Sequence, residues 1–569
     1  MASSGNFATW NPLANTQAGL SYSEGVYSNG NTRFRGNTGG TTTTQLTHGL
    51  SSGKWYIECF VDGSPASGFP MIGIVASGAN SNTVQNTSNV GALAITSDIQ
   101  LVSGVKRPFG STSNTSYGSG FSDTDICQIA VDIDNGKVWW GKNNTWFASG
   151  DPAAGSNAGD TFTGGTEMMV FVGSYSGASY MICNAGQDDT FAGNVTAAGN
   201  ADGNGFGDFK YAPPTGFLAL CSGNLSISDD IDPAGDDGET ENPTKQFNTV
   251  LYSGTGSAQS IDAGLQADLV WAKNRGSQSH RLADSTRGSA VLFSDTTDAQ
   301  DTTAGISFDS DGFNWTNTDG SNANDSGANY VAWCWKANGG VTSTNTDGST
   351  DSTVQANTKA GFSIVQTPNY SGTPTFGHGL SKPLDFIIVK LITSAAQWIA
   401  YHSGLSSAAK ILYLNQSAAE ASNAAFNSTA PTNEVFSLGG GFAGSGTAIA
   451  YCWHSVEGSS KFGTYIGNSN ADGPFVYTGF RPRMIFVKDR DRGENWVTFD
   501  SARNTFNSVD KGVFWNASSA ESTGSGSGFD VDFLSNGFKL RCSHDNMNGS
   551  STYIYGAWGD VPFKYNNTF

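Results

Sequence analysis

Gly264-Leu265-Gln266-Ala267-Asp268-Leu269-Val270-Trp271-Ala272-Lys273 joins a Gly and a large apolar residue to a polar turn, a short apolar run and a Lys. The pattern returns as Gly379-Leu380-Ser381-Lys382-Pro383-Leu384-Asp385-Phe386-Ile387-Ile388-Val389-Lys390. It returns again as Gly479-Phe480-Arg481-Pro482-Arg483-Met484-Ile485-Phe486-Val487-Lys488. A short apolar run bounded by turn residues reads as a buried strand. The three lysines lie 117 and 98 residues apart. Those intervals have the size of small domains and exceed a solenoid repeat. Three tandem copies of one β-unit are therefore expected.

Further markers move with this stretch. Each copy opens on a Phe: Phe247, Phe362 and Phe462. Each closes on aromatics: Tyr330-Val331-Ala332-Trp333-Cys334-Trp335, Ile449-Ala450-Tyr451-Cys452-Trp453 and Tyr553-Ile554-Tyr555-Gly556-Ala557-Trp558. The first and third carry Asp284-Ser285-Thr286-Arg287 and Asp500-Ser501-Ala502-Arg503; the second departs with Tyr401-His402-Ser403-Gly404. A strand then follows in each, at Phe308 to Phe313, Val435 to Gly439 and Phe533 to Phe538.

The totals agree with an all-β protein. Aromatics are 12% of 569 residues, more than a disordered chain carries. Charged residues are 14%, against roughly 25% in an average globular protein. Turn formers alternate with β-branched and aromatic runs, and no long segment has helical periodicity. The Ala-rich stretch Ser417 to Phe426 is expected as one short helix. The net charge of −20 disfavours nucleic acid and anionic membranes, both of which need a basic footprint. No apolar run spans a membrane, and Met1-Ala2-Ser3-Ser4-Gly5-Asn6 lacks signal-peptide regions, so synthesis in a bacterial cytoplasm is expected. Cys59, Cys127, Cys183, Cys221, Cys334, Cys452 and Cys542 form no CxxC pair and read as free core thiols.

Upstream of the repeats, Gly53-Lys54-Trp55-Tyr56-Ile57-Glu58 is followed by Ile72-Gly73-Ile74. Later comes Ala130-Val131-Asp132-Ile133-Asp134-Asn135-Gly136-Lys137-Val138-Trp139-Trp140-Gly141-Lys142-Asn143-Asn144-Thr145-Trp146. Asp134-Asn135-Gly136 marks a hairpin turn. These residues resemble a SPRY (B30.2-like) domain across roughly 20 to 195. The resemblance implies a two-sheet sandwich that binds through loops, without naming the ligand. Pro213 to Cys221 resembles the close of SPRY-type modules in bacteriophage structural proteins. The repeats resemble modules of phage tail fibres and other virion proteins, through Asp268 to Arg275, Asp284 to Gly288 and Tyr330 to Trp335. That resemblance implies jelly-roll or concanavalin-like β-sandwiches.

The organisation expected is a SPRY-like β-sandwich over 1–226, an acidic linker over 227–245 and a first repeat over 246–340. A Ser/Thr/Asp linker over 341–357, a second repeat over 358–457 and a third over 458–569 complete it.

No catalytic constellation emerges. Gly444-Ser445-Gly446 and Gly524-Ser525-Gly526-Ser527-Gly528 lack the strand–turn–helix setting of a nucleophile elbow. His48, His280, His378, His402, His454 and His544 are too scattered for a zinc site. An EF-hand spacing is absent from the acidic run 229–241. Asp309/Asp311 and Asp530/Asp532 would each place two carboxylates on one strand face, a conceivable glycosidase pair that more often caps turns. Trp139, Trp140, Trp146, Trp315, Trp496 and Trp515 read first as core; the polar loop Asn314-Trp315-Thr316-Asn317 is the better sugar-stacking candidate. The expectation is a non-enzymatic virion protein, a tail fibre that adheres to host surface glycan. It would use no metal or cofactor, insert in no membrane, bind other virion proteins and form a homotrimer. A capsid decoration or tail accessory protein is the alternative, and a polysaccharide depolymerase the third reading.

Overall fold

Runs rich in Val, Ile, Trp and Phe, cut by Gly, Asn and Asp, favour antiparallel strands joined by tight turns. The computed structural model is all-β. It describes residues 6–14, 16–17, 25–36, 41–65, 70–76, 96–109, 111, 113–175, 180–225, 243–316, 323–439, 442, 446–522 and 528–560. The acidic linker up to residue 242, Asn317, and most of the Gly/Ser runs near 444 and 526 lie outside the described residues. The chain divides into two compact units, residues 1–226 and the repeat-bearing body of 227–473 and 480–563.

The first unit stacks two antiparallel sheets. One runs through Thr41–Gln45, Met168–Tyr175, Met71–Ala76 and Thr96–Gln100. The other runs through Lys137–Lys142, Ile126–Asp132, Lys54–Asp62 and Tyr180–Asn184. The hairpin read from Asn135-Gly136 is present, with Asp132 opposite Lys137. Gly136 has φ +60°, and a Cβ there would lie 2.0 Å from the Phe162 carbonyl oxygen. Ile57, Ile72, Ile74, Ile129, Val131 and Val170 fill the space between the sheets.

In the second unit each repeat has a large sheet and a smaller one. The first repeat orders its large sheet Phe247–Ser253, Asn329–Trp335, Leu269–Asn274, Arg281–Asp284 and Val291–Leu292. The third uses the same order: Ser460–Ile466, Thr552–Gly559, Pro482–Asp489, Val497–Asp500 and Val513–Phe514. The second keeps that core order through Phe362–Gln366, Ala448–Trp453, Phe386–Leu391, Ile399–His402 and Lys410–Tyr413.

Two segments differ from the sequence expectation. Residues 341–357 are not a linker: Ser343–Asn345 and Ser352–Asn357 extend the second repeat's sheet, the latter pairing with Phe362–Gln366. Ser and Thr suit an edge strand, and Val354 and Gln355 are buried there. Ser417 to Phe426 forms no helix. Ala421–Ser422 pairs with Lys410 and Ile411, and the Glu420 and Asn423 amides donate to the Arg490 and Ala409 carbonyls. Those distant backbone partners outweigh the helix preference of Ala.

Both faces of each large sheet are buried, for different purposes. Side chains alternate along a strand. Leu269, Trp271, Val331, Trp333 and Trp335 enter a core shared by all three repeats. Val270, Ala272, Ala332 and Cys334 face the first repeat's own small sheet. The second repeat divides likewise: Phe386, Ile388, Tyr451 and Trp453 inward, Ile387, Val389, Ala450 and Cys452 to its own sandwich. The Trp-Cys-Trp and Tyr-Cys-Trp closes thus put large residues on the shared face and small ones on the other.

At the centre the three closing tryptophans touch pairwise. Ring centroids lie 5.9 Å apart for Trp335 and Trp453, 6.1 Å for Trp453 and Trp558, and 5.3 Å for Trp335 and Trp558. The opening phenylalanines pack beside them, each 5.0 to 5.4 Å from its own repeat's Trp. The repeats close one pseudo-threefold ring.

Hydrogen bonds repeat that ring. Trp398 Nε1–H donates to the Phe293 carbonyl at 2.7 Å, from second repeat to first. Trp496 Nε1–H donates to the Tyr413 carbonyl at 3.1 Å, from third to second. His280 stands at the matching position in the first repeat, and its Nε2 meets the Phe514 carbonyl of the third at 2.9 Å. Trp271 Nε1–H donates to His280 Nδ1, which leaves Nε2 as the proton-bearing donor.

Candidate functional site

Three positions explain the repeat motifs before any ligand chemistry arises. The terminal lysines are buried and donate to backbone carbonyls. Lys273 bonds Asn274 and Gly276, Lys390 bonds Thr297, and Lys488 bonds Asp489 and Arg492. Burial lowers all three to about 8. They tie down loops.

The Asp-x-x-Arg motif is a buried ion pair. Asp284 accepts from Arg287 Nε at 2.5 Å, and Asp500 from Arg503 Nε at 2.6 Å. Each Asp also accepts across a repeat boundary, Asp284 from Tyr451 Oη at 2.7 Å and Asp500 from Trp333 Nε1 at 3.2 Å. In the second repeat His402 replaces the Asp, and its facing neighbour changes with it. Gly556 stands where the other repeats have Trp333 and Tyr451, and His402 Nε2–H donates to the Tyr555 carbonyl at 3.1 Å. A Cβ on Gly556 would lie 2.3 Å from the Phe486 ring.

Asp268 sits at the third position. It accepts from Ser285 Oγ at 2.6 Å and from the amides of Ala337, Gly339 and Gly340 at 2.7 to 2.8 Å. Four donors saturate its carboxylate and fold the chain after Trp335 back over the sheet. Asp385 does the same with Ser403 and Ser455. In the third repeat the charge is reversed: Arg483 lies 3.6 Å from Asp560.

Beside Asp268 opens a cleft of about 360 Å³. Gln266, Asp268, Ser285, Gly288 and Ser289 line one side, Ile306, Ser307 and Phe308 another, and Gly339 and Gly340 the rim. Gly339 and Gly340 have φ +65° and +78°, which lets this rim turn tightly. Among the described residues the Gln266 amide and the Ser289 and Ser307 hydroxyls have no protein partner. The Phe308 ring is half-buried beside them. With Asp268 saturated, the cleft offers neutral donors and acceptors and one aromatic edge. That combination suits a hydroxyl-rich, uncharged ligand.

The sequence-derived candidates fall elsewhere. Asp309 and Asp311 lie in the turn between Ile306–Phe308 and Gly312–Trp315, not on one strand face. Asp309 bonds Asn314 at 2.7 Å, and its carboxyl raises the pKa of exposed Asp311. Asp530 accepts from Ser508 Oγ at 3.0 Å, and Asp532 pairs with Arg541 at 3.2 Å. Neither pair lines the cleft. Trp139, Trp140, Trp315, Trp496 and Trp515 are all buried. The loop candidate Trp315 is thereby overturned as a stacking platform: it ends a strand and donates Nε1–H to Tyr252 Oη at 3.0 Å. Trp146 is half-buried and meets Tyr56 edge-on. All seven cysteines are buried and unpaired. Among the described residues no His, Cys, Asp and Glu group is placed to hold a metal, and no helix is long and apolar enough to cross a membrane.

Sequence reasoning missed Gln266, Ser289, Ser307 and Phe308. Single polar residues beside turns and one aromatic in a short strand carry no distinguishing signal, since the whole chain shares them.

In the first unit a buried carboxylate, Glu58, is densely hydrogen-bonded. It accepts from Tyr56 Oη, Asn184 Nδ2 and the amides of Lys210 and Tyr211 at 2.7 to 3.2 Å. Burial raises its pKa to about 7. With four donors in place, its role is to hold the 208–211 segment on the sheet.

A family model described as a domain of unknown function, DUF7483, matches residues 242–562. No curated protein matches the chain. Among solved structures, the SPRY domain of human HERC1 is similar, at 15% identity and a TM-score of 0.23, over 31% of this chain and 96% of that one. The TRIM65 PSpry domain is similar at 10% identity and a TM-score of 0.23, over 31% of this chain and 90% of that one.

Proposed function

The chain belongs to the DUF7483 family, and we propose that it is a bacteriophage virion protein, a tail fibre that adheres to host surface glycan. The observation that carries the adhesion reading is the cleft beside Asp268. Its lining brings together the Gln266 amide, the Ser289 and Ser307 hydroxyls and the half-buried Phe308 ring. Neutral hydrogen-bonding groups beside an aromatic edge complement a sugar, whose hydroxyls need partners and whose C–H face is apolar. The phage setting rests on the motifs Asp268 to Arg275 and Tyr330 to Trp335 and on the SPRY-like first unit. The acidic charge supports solubility of an exposed particle component.

Such adhesion is weak per site and strong in number, since linked sites gain effective concentration. A homotrimer would multiply the sites through surfaces other than the closed aromatic ring, which one chain already completes.

The test is to locate the protein on intact particles with a gold-labelled antibody against residues 246–569, and to compete phage adsorption with free protein. Labelled fibres and reduced adsorption are the expected result. Labelling spread over the head would turn the reading to a decoration protein. No labelling would overturn the virion assignment.

A further inference from the structure

Phe506 is 84% exposed, while the large hydrophobic side chains around it in the third repeat are buried. It sits in the loop between Val497–Asp500 and Val513–Phe514. Nine residues separate Arg503 from Val513 there, against four between the matching Arg287 and Leu292 of the first repeat. The added residues carry the ring.

The loop is held firmly although its tip is open. Asn507 brackets the Phe533 backbone, donating from Nδ2 to its carbonyl at 2.9 Å and accepting its amide at 2.9 Å. Asn504 Nδ2 donates to Asp510 at 2.9 Å and its Oδ1 accepts from the Lys511 amide at 3.1 Å. Ser508 Oγ donates to Asp530 at 3.0 Å. Val509 exchanges both backbone bonds with Val531. These contacts fix the backbone on both sides of Phe506, so ordering the loop costs a ligand little.

We infer that Phe506 is a stacking platform for one saccharide ring, a second glycan subsite distinct from the cleft of the first repeat. The size and surroundings of the ring choose the ligand class. One Phe exposes at most about 200 Å² of apolar surface, below even the roughly 300–600 Å² of the largest apolar patch on an ordinary monomer, and protein docking sites are larger still. Its neighbours Thr505, Asn507 and Ser508 are exposed and uncharged. A pyranose ring matches one aromatic face in area, and the exposed Thr505 hydroxyl next in the chain offers its hydroxyls a partner. This subsite rests on the glycan-adhesion reading.

The test uses the full chain on an array of immobilised bacterial O-antigen and capsular oligosaccharides, with three variants. The wild type is expected to bind at least one saccharide. Phe506→Ala should weaken that binding about tenfold, the worth of one stacked ring. Phe506→Trp should retain it and add exposed-indole emission that shifts to the blue with saccharide. Neither change should move the thermal midpoint, because the ring makes no core contact. Unchanged affinity in Phe506→Ala, with loss in Gln266→Ala, would overturn this subsite and leave the adhesion reading standing. Absence of wild-type binding across the array would overturn both.

Discussion

Tyr451 of the second repeat donates its phenol O–H to Asp284 of the first at 2.7 Å, inside a core that belongs to both. Asp284 also holds Arg287, so three buried polar groups satisfy one another across a repeat boundary. Removing the hydroxyl alone with Tyr451→Phe leaves the ion pair intact and is expected to cost about 1–2 kcal/mol. Asp284→Ala leaves Arg287 buried without its counter-charge and is expected to cost about 3–5 kcal/mol. Urea unfolding of the two variants checks the order.

The tryptophan triad sets the cooperativity of the repeats. Trp335→Ala should lower stability by about 3–5 kcal/mol, the range for a large aromatic lost from a core. Trp335→Phe should cost much less, because the Trp335 indole N–H has no hydrogen-bond partner among the described residues. Residues 246–340 alone would expose Trp271, Trp333 and Trp335 to water and are expected not to fold. Circular dichroism and hydrogen exchange of that fragment, beside residues 243–560, check this. A folded fragment would contradict the shared core.

Gly556 is a packing constraint. Its Cβ would lie 2.3 Å from Phe486 and 2.8 Å from Phe462. Both rings sit in the shared core and have little room to yield, so Gly556→Ala is expected to destabilise by about 1–3 kcal/mol. The thermal midpoint should fall accordingly, while Gly493→Ala, whose Cβ would meet no atom closer than 3.8 Å, should leave it nearly unchanged.

Acid should weaken the repeat-bearing unit. Burial lowers His378 and His402 to about 4 and pushes His280 and His454 down as well. A lowered histidine contributes stability that is complete above its unfolded value near 6.5 and is lost as pH falls from there toward 4. For His402 alone this amounts to about 3 kcal/mol. The midpoint of this unit should drop between pH 6.5 and 4, and His402→Asn should flatten that slope whatever it does to stability at pH 7. The lysines lowered to about 8 act in a separate window, adding stability as pH rises above 8.

The class of fold and the number of repeats are legible in the amino-acid order alone. Apolar runs this short, rich in β-branched and aromatic residues and bounded by Gly and Asp, read as strands, and markers that recur together place the copies. The match between Gly264 to Lys273 and its two echoes reached as far as the lysines and the Asp-x-x-Arg pair, because the Lys closes all three runs and the pair recurs in the first and third repeats. It did not reach the closed ring. A strand buried on both faces reads as one continuous apolar run, so Leu269 to Ala272 gives no sign that alternate residues serve different cores. It took long-range packing to bring Trp335, Trp453 and Trp558 together, to set Gly556 against His402, and to pair strands within 341–357 in place of a linker. That packing also decided the candidate sites. Among the described aromatics Phe506 stands apart by its exposure, a property set by how loops of unequal length leave each sheet.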